Sequence, residues 1–549
     1  MCARGRSAVL PACLLAAAAG VAGCMGGGEE PAQGGTARIA YGAQPDSLDP
    51  ARSFSLEGLA LLWTVYTPPL TYRHVDGPGG AEVVPGLAVA LPTVSSDGLT
   101  YRFRFRRGLR YSDGSSLRAS DFEHAVKRVL AMTSPGSRFF TGIAGAPGFI
   151  ERDRLDGDIA GIRSDDRSGE VTIRLTARDG TFLSALATVF AAPVPASTPA
   201  RDMTTALPPG IGAFRISRSV PNREVVLVRN RELPDLPNVP AAKLERIEVQ
   251  IGRNARTQTQ RIVRNDLDYM IDPVPADLLG QIRREHPDRY EENVSNSTFY
   301  FWLNSSIAPF DNHRLREAVH IAIDKPGLAR LYGGLMQPTC NFLPPAIPGH
   351  EPLDPCPYGD PDSNGDIDKA RAIVEQESAE GVEVNVWGLS APPSEQVVEA
   401  FADRLEEIGL RPKLKILAPG VYIQAIGNES TSGLHAGFAN WFQEFPHPAS
   451  FMAAVRGDLI TNTGNYNFSH TDIPALTRRI KQLQQDRDLA GRLDEWAALD
   501  RQIVRDAGIV PYGHLRYTTL MSDRINFDDC SPFHPVYIAD YSRFCLKAP

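Results

Sequence analysis

The sequence predicts an α/β fold, on three observations. Short alternating segments rich in β-formers interchange with segments of helical spacing, most regularly after residue 380. Hydrophobic residues make up 42% and charged residues 22% of the 549-residue chain, proportions ordinary for a folded protein with a large core. No self-similarity shows at a period of roughly 20–50 residues, which excludes solenoids and propellers. Length alone suggests about three to four domains' worth of chain. The formal charge of -8 and pI ≈ 5.8 argue against a nucleic-acid partner, because phosphate recognition needs a basic field.

The first thirty-five residues read as an address. Arg4 and Arg6 precede an apolar run over residues 8–22, the charged and apolar regions of a secretory signal. The run ends Val21-Ala22-Gly23-Cys24, which resembles a bacterial lipobox. That resemblance implies a cut after residue 23 and two acyl chains on Cys24, enough for a stable anchor to the outer face of the cell membrane. Residues 24–35, Gly-rich and polar, read as a flexible tether. Beyond the N-terminus no stretch approaches the roughly 18 apolar residues of a spanning helix.

The elements follow in order. Residues 36–41 (TARIAY) alternate as a strand, 46–50 (DSLDP) form a turn, and 59–66 are apolar at helical spacing. Residues 99–105 (LTYRFRF) make a half-buried strand, with Tyr101, Phe103 and Phe105 on one face and Arg102 and Arg104 on a solvated one. Ser112-Asp113-Gly114 is a turn, and Ser120 is expected to cap a helix to Leu130 with Asp121 and Glu123 in its first turn. Strands are expected over 171–175, 224–228, 243–251 and 299–304, with a tight loop at 208–212 and a helix ending near Asn265. Helices then cover 312–323, 366–375, 394–408, 473–484 and 494–506, strands 382–387 and 414–416, and 509–520 is mostly extended.

Cysteine usage agrees with export. Cys2 and Cys13 leave with the signal, and Cys340, Cys356, Cys530 and Cys545 remain in the body. Four cysteines allow three pairings. The near pairs, Cys340–Cys356 and Cys530–Cys545, each close a short loop containing turn-forming residues, and an oxidising compartment favours disulfides over buried thiols. No CxxC spacing suggests zinc.

Motifs for chemistry are absent. There is no GxxxxGK[ST] loop, no GxSxG elbow and no HExxH, and the Gly210-x-Gly212 pair lacks the third glycine of a dinucleotide fingerprint. Asp360-x-Asp362-x-Asn364-Gly365 imitates the start of a calcium loop, but Arg371 stands where the twelfth-position carboxylate is required. It reads as a surface turn. Neither a metal nor a cofactor is expected.

In order along the chain, several motifs are similar to those of the large extracytoplasmic solute-binding proteins of oligopeptide and dipeptide ABC importers. Ser47-Leu48-Asp49-Pro50 resembles that family's early LDP, and residues 65–70 (VYTPPL) its VYEPL. Residues 85–88 (PGLA), 96–100 (SDGLT), 111–114 (YSDG) and 119–122 (ASDF) match one extended block, and 210–214 (GIGAF) stands at its GTGPY. The most specific match runs over 303–324, with Asn304, Pro309, Phe310, Arg314, Arg316 and Asp324 in place.

The resemblance implies a two-lobed α/β fold, periplasmic-binding-protein-like, with an inserted subdomain and a hinge between lobes. The implied division assigns residues 36–75, 190–296 and 518–549 to lobe one, 76–189 to the insert and 297–517 to lobe two. The chain would cross between lobes near Ser297 and Arg516. A ligand held between lobes would be an extended peptide or peptide-like solute, bound through its main chain, with a carboxylate meeting its ammonium. In the family that carboxylate lies in a W--D-PDP segment. Here the segment is Trp441-Phe442-Gln443-Glu444-Phe445-Pro446-His447-Pro448, with Glu444 for the Asp and His447 for a second Asp. Trp441, Glu444 and Phe445 are thus candidate ligand contacts, joined by Trp63, Tyr66, Asn465, Tyr466, Tyr512 and His514 by position.

The implied function is a lipid-anchored monomer without catalysis that hands its solute to an ABC permease and ATPase. The competing readings are the same fold as a sensor, a non-peptide ligand such as a nickel complex, sugar or opine, and a secreted hydrolase.

Overall fold

The computed structural model describes residues 31, 32 and 34–547, except 153, 154, 156, 295, 507 and 532. The signal segment and Cys24 lie outside the described residues. Three sheets organise the rest. The first has the order Tyr269–Met270, Thr36–Tyr41, Arg246–Ile251, Glu224–Arg229, Phe214–Val220. Thr36–Tyr41 runs parallel to both its neighbours. Ile39, Val225, Leu227, Ile247 and Val249 turn into one core with Leu61 and Tyr541.

Helix Leu56–Val65 packs on this core. Ser55 caps it by accepting the Gly58 N–H at 3.2 Å, so the helix begins three residues earlier than its apolar spacing suggested. Gly210 and Gly212 are required where the 208–212 loop crosses its end. A Cβ at either would meet the Val65 or Thr64 carbonyl oxygen at 2.2 or 2.4 Å, closer than side-chain carbons approach backbone.

The second sheet is antiparallel: Thr93–Val94, Thr100–Arg104, Glu170–Arg174, Ile162–Asp165. The alternation read from the sequence is realised, with Tyr101 and Phe103 buried and Arg102 and Arg104 exposed. Phe122 of helix Ala119–Ala131 meets the Phe103 ring edge-on. The start of this helix differs from expectation. Arg118 precedes it, and Asp121, three positions on, accepts the Arg118 N–H at 2.9 Å. Ser120 lies inside the first turn, and its hydroxyl donates to Asp166 instead.

The third sheet has the order Met336–Pro338, Ile509–Leu515, Ser297–Leu303, Ala436–Phe442, Glu383–Leu389, Arg411–Leu417. All seven residues of Ser297–Leu303 are buried, as expected for a strand covered on both faces. Helix Ser394–Glu407 packs on the parallel pair Glu383–Leu389 and Arg411–Leu417. Strand Ala436–Phe442, in the middle of this sheet, and helix Ala276–Glu285 are further elements that the sequence reading did not contain.

The two-lobed fold is built on these sheets and their helices. A two-stranded antiparallel ribbon leads into the third sheet. Tyr290–Asn293 pairs with Tyr517–Leu520, and the same two segments continue into the third sheet as Ser297–Leu303 and Ile509–Leu515.

Both near cysteine pairs are disulfides. Cys340–Cys356 has Cα atoms 6.1 Å apart and Cys530–Cys545 5.6 Å apart. The second lies beside a short antiparallel pairing of Pro31–Ala32 with Leu546–Lys547. Among the described residues no group of His, Cys, Asp or Glu is arranged to hold a metal, and Asp360 accepts the Asp362 N–H in a turn on the surface. No helix among them is long and apolar enough to cross a membrane.

Candidate functional site

Two neighbouring cavities open between the lobes. The larger is about 490 Å³, within the roughly 300–1,000 Å³ range of small-molecule sites. Its floor in lobe one is the first turn of the Leu56–Val65 helix, with Phe54, Leu56, Glu57 and Leu59, together with the segment at Val536, Tyr537 and Ile538. Phe139 and Phe190 close one side, and Asn440, Trp441, Phe442, Gln443, Glu444, Tyr466 and Phe468 form the opposite wall. The smaller, about 320 Å³, carries Arg138, Arg178, Asp179, Arg456 and Lys481 along with Phe445.

One ion pair stands between the two cavities. Arg138 donates from its guanidinium to Glu444, bridging 306 positions of sequence. The same guanidinium lies over the rings of Phe139, Phe54 and Tyr466, at 5.1, 5.3 and 5.8 Å, a cation–π arrangement. The Glu444 backbone N–H is taken by Ser450 Oγ at 3.0 Å. Burial pushes the Glu444 carboxyl above the usual range, and Arg138 opposes that shift.

Three residues that line the larger cavity each carry a buried polar atom with no protein partner: the Trp441 indole N–H, Asn296 Oδ1 and Gln443 Oε1. The amide groups of Asn296 and Gln443 both donate to the Pro535 carbonyl, Asn296 at 2.8 Å, which leaves their oxygens facing elsewhere. Buried groups of this kind are normally satisfied. Here all three are covered atoms, beneath the surface of the wall.

Of the residues singled out in sequence, Trp441, Glu444 and Tyr466 line the larger cavity and Phe445 the smaller. The other five are placed in the protein's interior, off both walls. Trp63 stacks on His74 with ring centres 4.1 Å apart and donates to Thr71 Oγ1. Tyr66 donates to the Pro208 carbonyl at 2.7 Å. Both lie beyond the first turn of their helix, the only part of it that reaches the cavity. Tyr512 pairs with Tyr332 through their hydroxyls, and His514 contacts the Ser297 carbonyl at 3.2 Å, each on a central strand. Asn465 folds back on Asn467 to shape its own loop.

Sequence reasoning missed Arg138, Glu57, Asn296 and Gln443. Arg138 sits in a short 3₁₀ turn at Pro135–Phe139 that no periodicity marks. Glu57 is detectable only as an acidic residue in an otherwise apolar helix start.

The family model for "Bacterial extracellular solute-binding proteins, family 5 Middle" matches residues 82–462. Curated relatives include Di/tripeptide-binding protein 1 of Pseudomonas aeruginosa, 24% identical, with 83% of this chain and 85% of that protein covered. Another is the periplasmic oligopeptide-binding protein OppA of Salmonella typhimurium, 22% identical over 78% of each. Among solved structures, Clavulanic acid biosynthesis oligopeptide binding protein 2 superposes with a TM-score of 0.83 at 27% identity, covering 94% of this chain and 96% of that one. The Helicobacter pylori periplasmic binding protein DppA in complex with the peptide STSA has a TM-score of 0.77 at 18% identity, covering 94% and 99%. With the two-lobed fold and the cavity between its lobes, these matches place the chain in the bacterial extracellular solute-binding proteins of family 5.

Proposed function

We propose that this chain is the lipid-anchored substrate-binding component of an ABC import system, capturing a peptide or peptide-like solute between its lobes and delivering it to a membrane permease. The observation that carries the reading is the larger cavity, whose lining combines aromatic rings with the polar residues Asn296, Asn440, Gln443 and Glu444. A peptide main chain presents alternating N–H and C=O groups, which amide and carboxylate side chains can bond. Trp441, Glu444, Phe445 and Tyr466 are the sequence-named residues positioned to contact it. The curated relatives named for di-, tri- and oligopeptide binding support the same ligand class. Catalysis has no part in this reading.

The anchor rests on the Val21-Ala22-Gly23-Cys24 sequence. The residue boundaries 36–75, 190–296 and 518–549 for lobe one, 76–189 for the insert and 297–517 for lobe two are the proposed working division. Native mass spectrometry of the gently purified mature chain tests the ligand. A spread of peptide-sized added masses, lost on denaturation, is the expected result, and a single recurrent non-peptide mass would overturn the peptide assignment. For the anchor, Cys24→Ser is expected to abolish metabolic labelling by a fatty acid. Persistent labelling would overturn it.

A further inference from the structure

We propose that the larger cavity selects its solute through bulky apolar side chains, so that peptides rich in aromatic and branched aliphatic residues are the preferred cargo. The inference rests on the peptide-binding reading above and names the side chains that reading admits.

The wall presents apolar surface and keeps most of its polar groups committed within the protein. Phe54, Leu59, Phe139, Phe442 and Tyr466 each pack against the core, stay only half-buried and line the cavity. The rings meet at angles, with Tyr466 6.4 Å from Phe54 at 51° and 6.0 Å from Trp441 at 89°. Arg138, which lies over three of these rings, lines the smaller cavity and not the larger. The amide N–H groups of Asn296 and Gln443 go to the Pro535 carbonyl, the Thr188 hydroxyl goes to the Ala185 carbonyl at 2.8 Å, and Glu444 is bonded to Arg138. The Trp441 N–H and the two amide oxygens are covered. Among the described residues no Lys, Arg or His lines this cavity.

Ile423 supplies a second observation. It belongs to helix Pro419–Ile426, lines the cavity and is nevertheless 44% exposed. Val421, two positions earlier on the same helix, is 51% exposed and is not on this wall. An exposed isoleucine beside five half-buried apolar side chains gathers apolar surface around one void, where a guest can cover it. Covering it is favourable in proportion to the apolar area removed from water, and rings on the guest add edge-to-face contacts with rings of the wall. A Gly or Ser side chain would leave those rings without partner atoms. An Asp or Glu side chain would be desolvated against a wall that holds no cation. The main chain is common to every peptide, so the preference among peptides comes from the side chains.

The test offers an equimolar random tripeptide library to the mature full-length chain and reads the retained masses by native mass spectrometry, each mass giving a composition. Phe, Tyr, Trp, Leu, Ile and Val are expected to be enriched over Asp, Glu, Gly and Ser by about tenfold or more. Ile423→Asp should cut that enrichment several-fold without lowering the melting temperature of the empty chain, because the side chain is exposed. Val421→Asp should leave the enrichment as in wild type. Peptides retained with a flat composition would overturn the proposal and leave peptide binding standing. Enrichment that survives Ile423→Asp, or that falls equally with Val421→Asp, would overturn the assignment to this cavity. Retention of no peptide would remove the peptide reading together with this one.

Discussion

Arg128 and Asp49 form a two-pronged ion pair in the protein's interior, with bonds of 2.8 and 3.3 Å between side chains 1% and 0% exposed. Asp49 also accepts the N–H groups of Ala51 and Met203, while Arg128 donates to the Pro199 and Arg201 carbonyls. The acid of the LDP motif is therefore a structural tie between the first-lobe loop and the helix Ala119–Ala131. Removing one partner leaves a buried charge without compensation. Asp49→Asn is expected to cost about 3–5 kcal/mol in urea unfolding, and Asp49→Leu combined with Arg128→Met should not recover it, because the Ala51 and Met203 N–H groups and the Pro199 and Arg201 carbonyls lose their partners.

The Arg138–Glu444 pair makes a different expectation, because it joins the two sides of the cleft. A double-mutant cycle with Arg138→Met and Glu444→Gln should give a coupling of roughly 0.5–3 kcal/mol in unfolding. Arg138→Met alone should also enlarge the radius of gyration in solution scattering, as the cleft loses the contact that spans it. An unchanged radius with no coupling would count against a latch.

Each disulfide closes a loop with a sequence separation of 16 or 15 residues. Chain-entropy arguments give about 3 kcal/mol for a loop of that size. Thermal melting with and without reductant should show the loss, and Cys530→Ala with Cys545→Ala should reproduce the part belonging to lobe one.

Three buried histidines set an acid limit. Burial depresses His447 to about 4 and both His514 and His534 to about 3. In His534 the Nδ1 accepts the Val536 and Tyr537 N–H groups, so the proton sits on Nε2, facing the Arg73 carbonyl. The unfolded values lie near 6.5. Below that pH the unfolded chain binds more protons, so stability falls as the solution is acidified toward 4 and is unaffected by these groups above 7. The expected loss between pH 6.5 and 5 is on the order of 1–2 kcal/mol per histidine, visible as a falling urea midpoint.

Glu57 acts in the opposite direction. Its folded value of about 7 lies above that of an unfolded glutamate. The cost is absent below pH 4, grows through the interval and is complete above about pH 7. Glu57→Gln should therefore stabilise the protein at pH 8, by on the order of 2–3 kcal/mol, and leave it unchanged at pH 4.

The parts of the fold that were legible in sequence are those where local pattern and tertiary demand agree. The strand around Tyr101 and Phe103 alternates in sequence and in burial, and helix Ser394–Glu407 begins at the residue its spacing indicates. Strand Ala436–Phe442 was not legible, because AGFANWF has little β-branched content. Its conformation is imposed by neighbours, and Gly437 is there because the Trp302 ring lies 2.6 Å from where a Cβ would stand. The site divides in the same way. Trp441 and Glu444 share a recognisable segment, but Arg138 reaches Glu444 only through the fold. Tyr512 and His514 are in the neighbourhood the sequence indicated, with side chains turned into the second lobe's core. Position along a chain does not fix which face of a buried strand a side chain occupies.

The short pairing of Pro31–Ala32 with Leu546–Lys547 has a mechanical meaning. A pull applied at Pro31 meets the backbone pairing with Leu546–Lys547 before it reaches Thr36–Tyr41 of the first sheet. Cys530–Cys545 passes the load on to a covalently closed loop of the same lobe. The third sheet contributes no strand to this route.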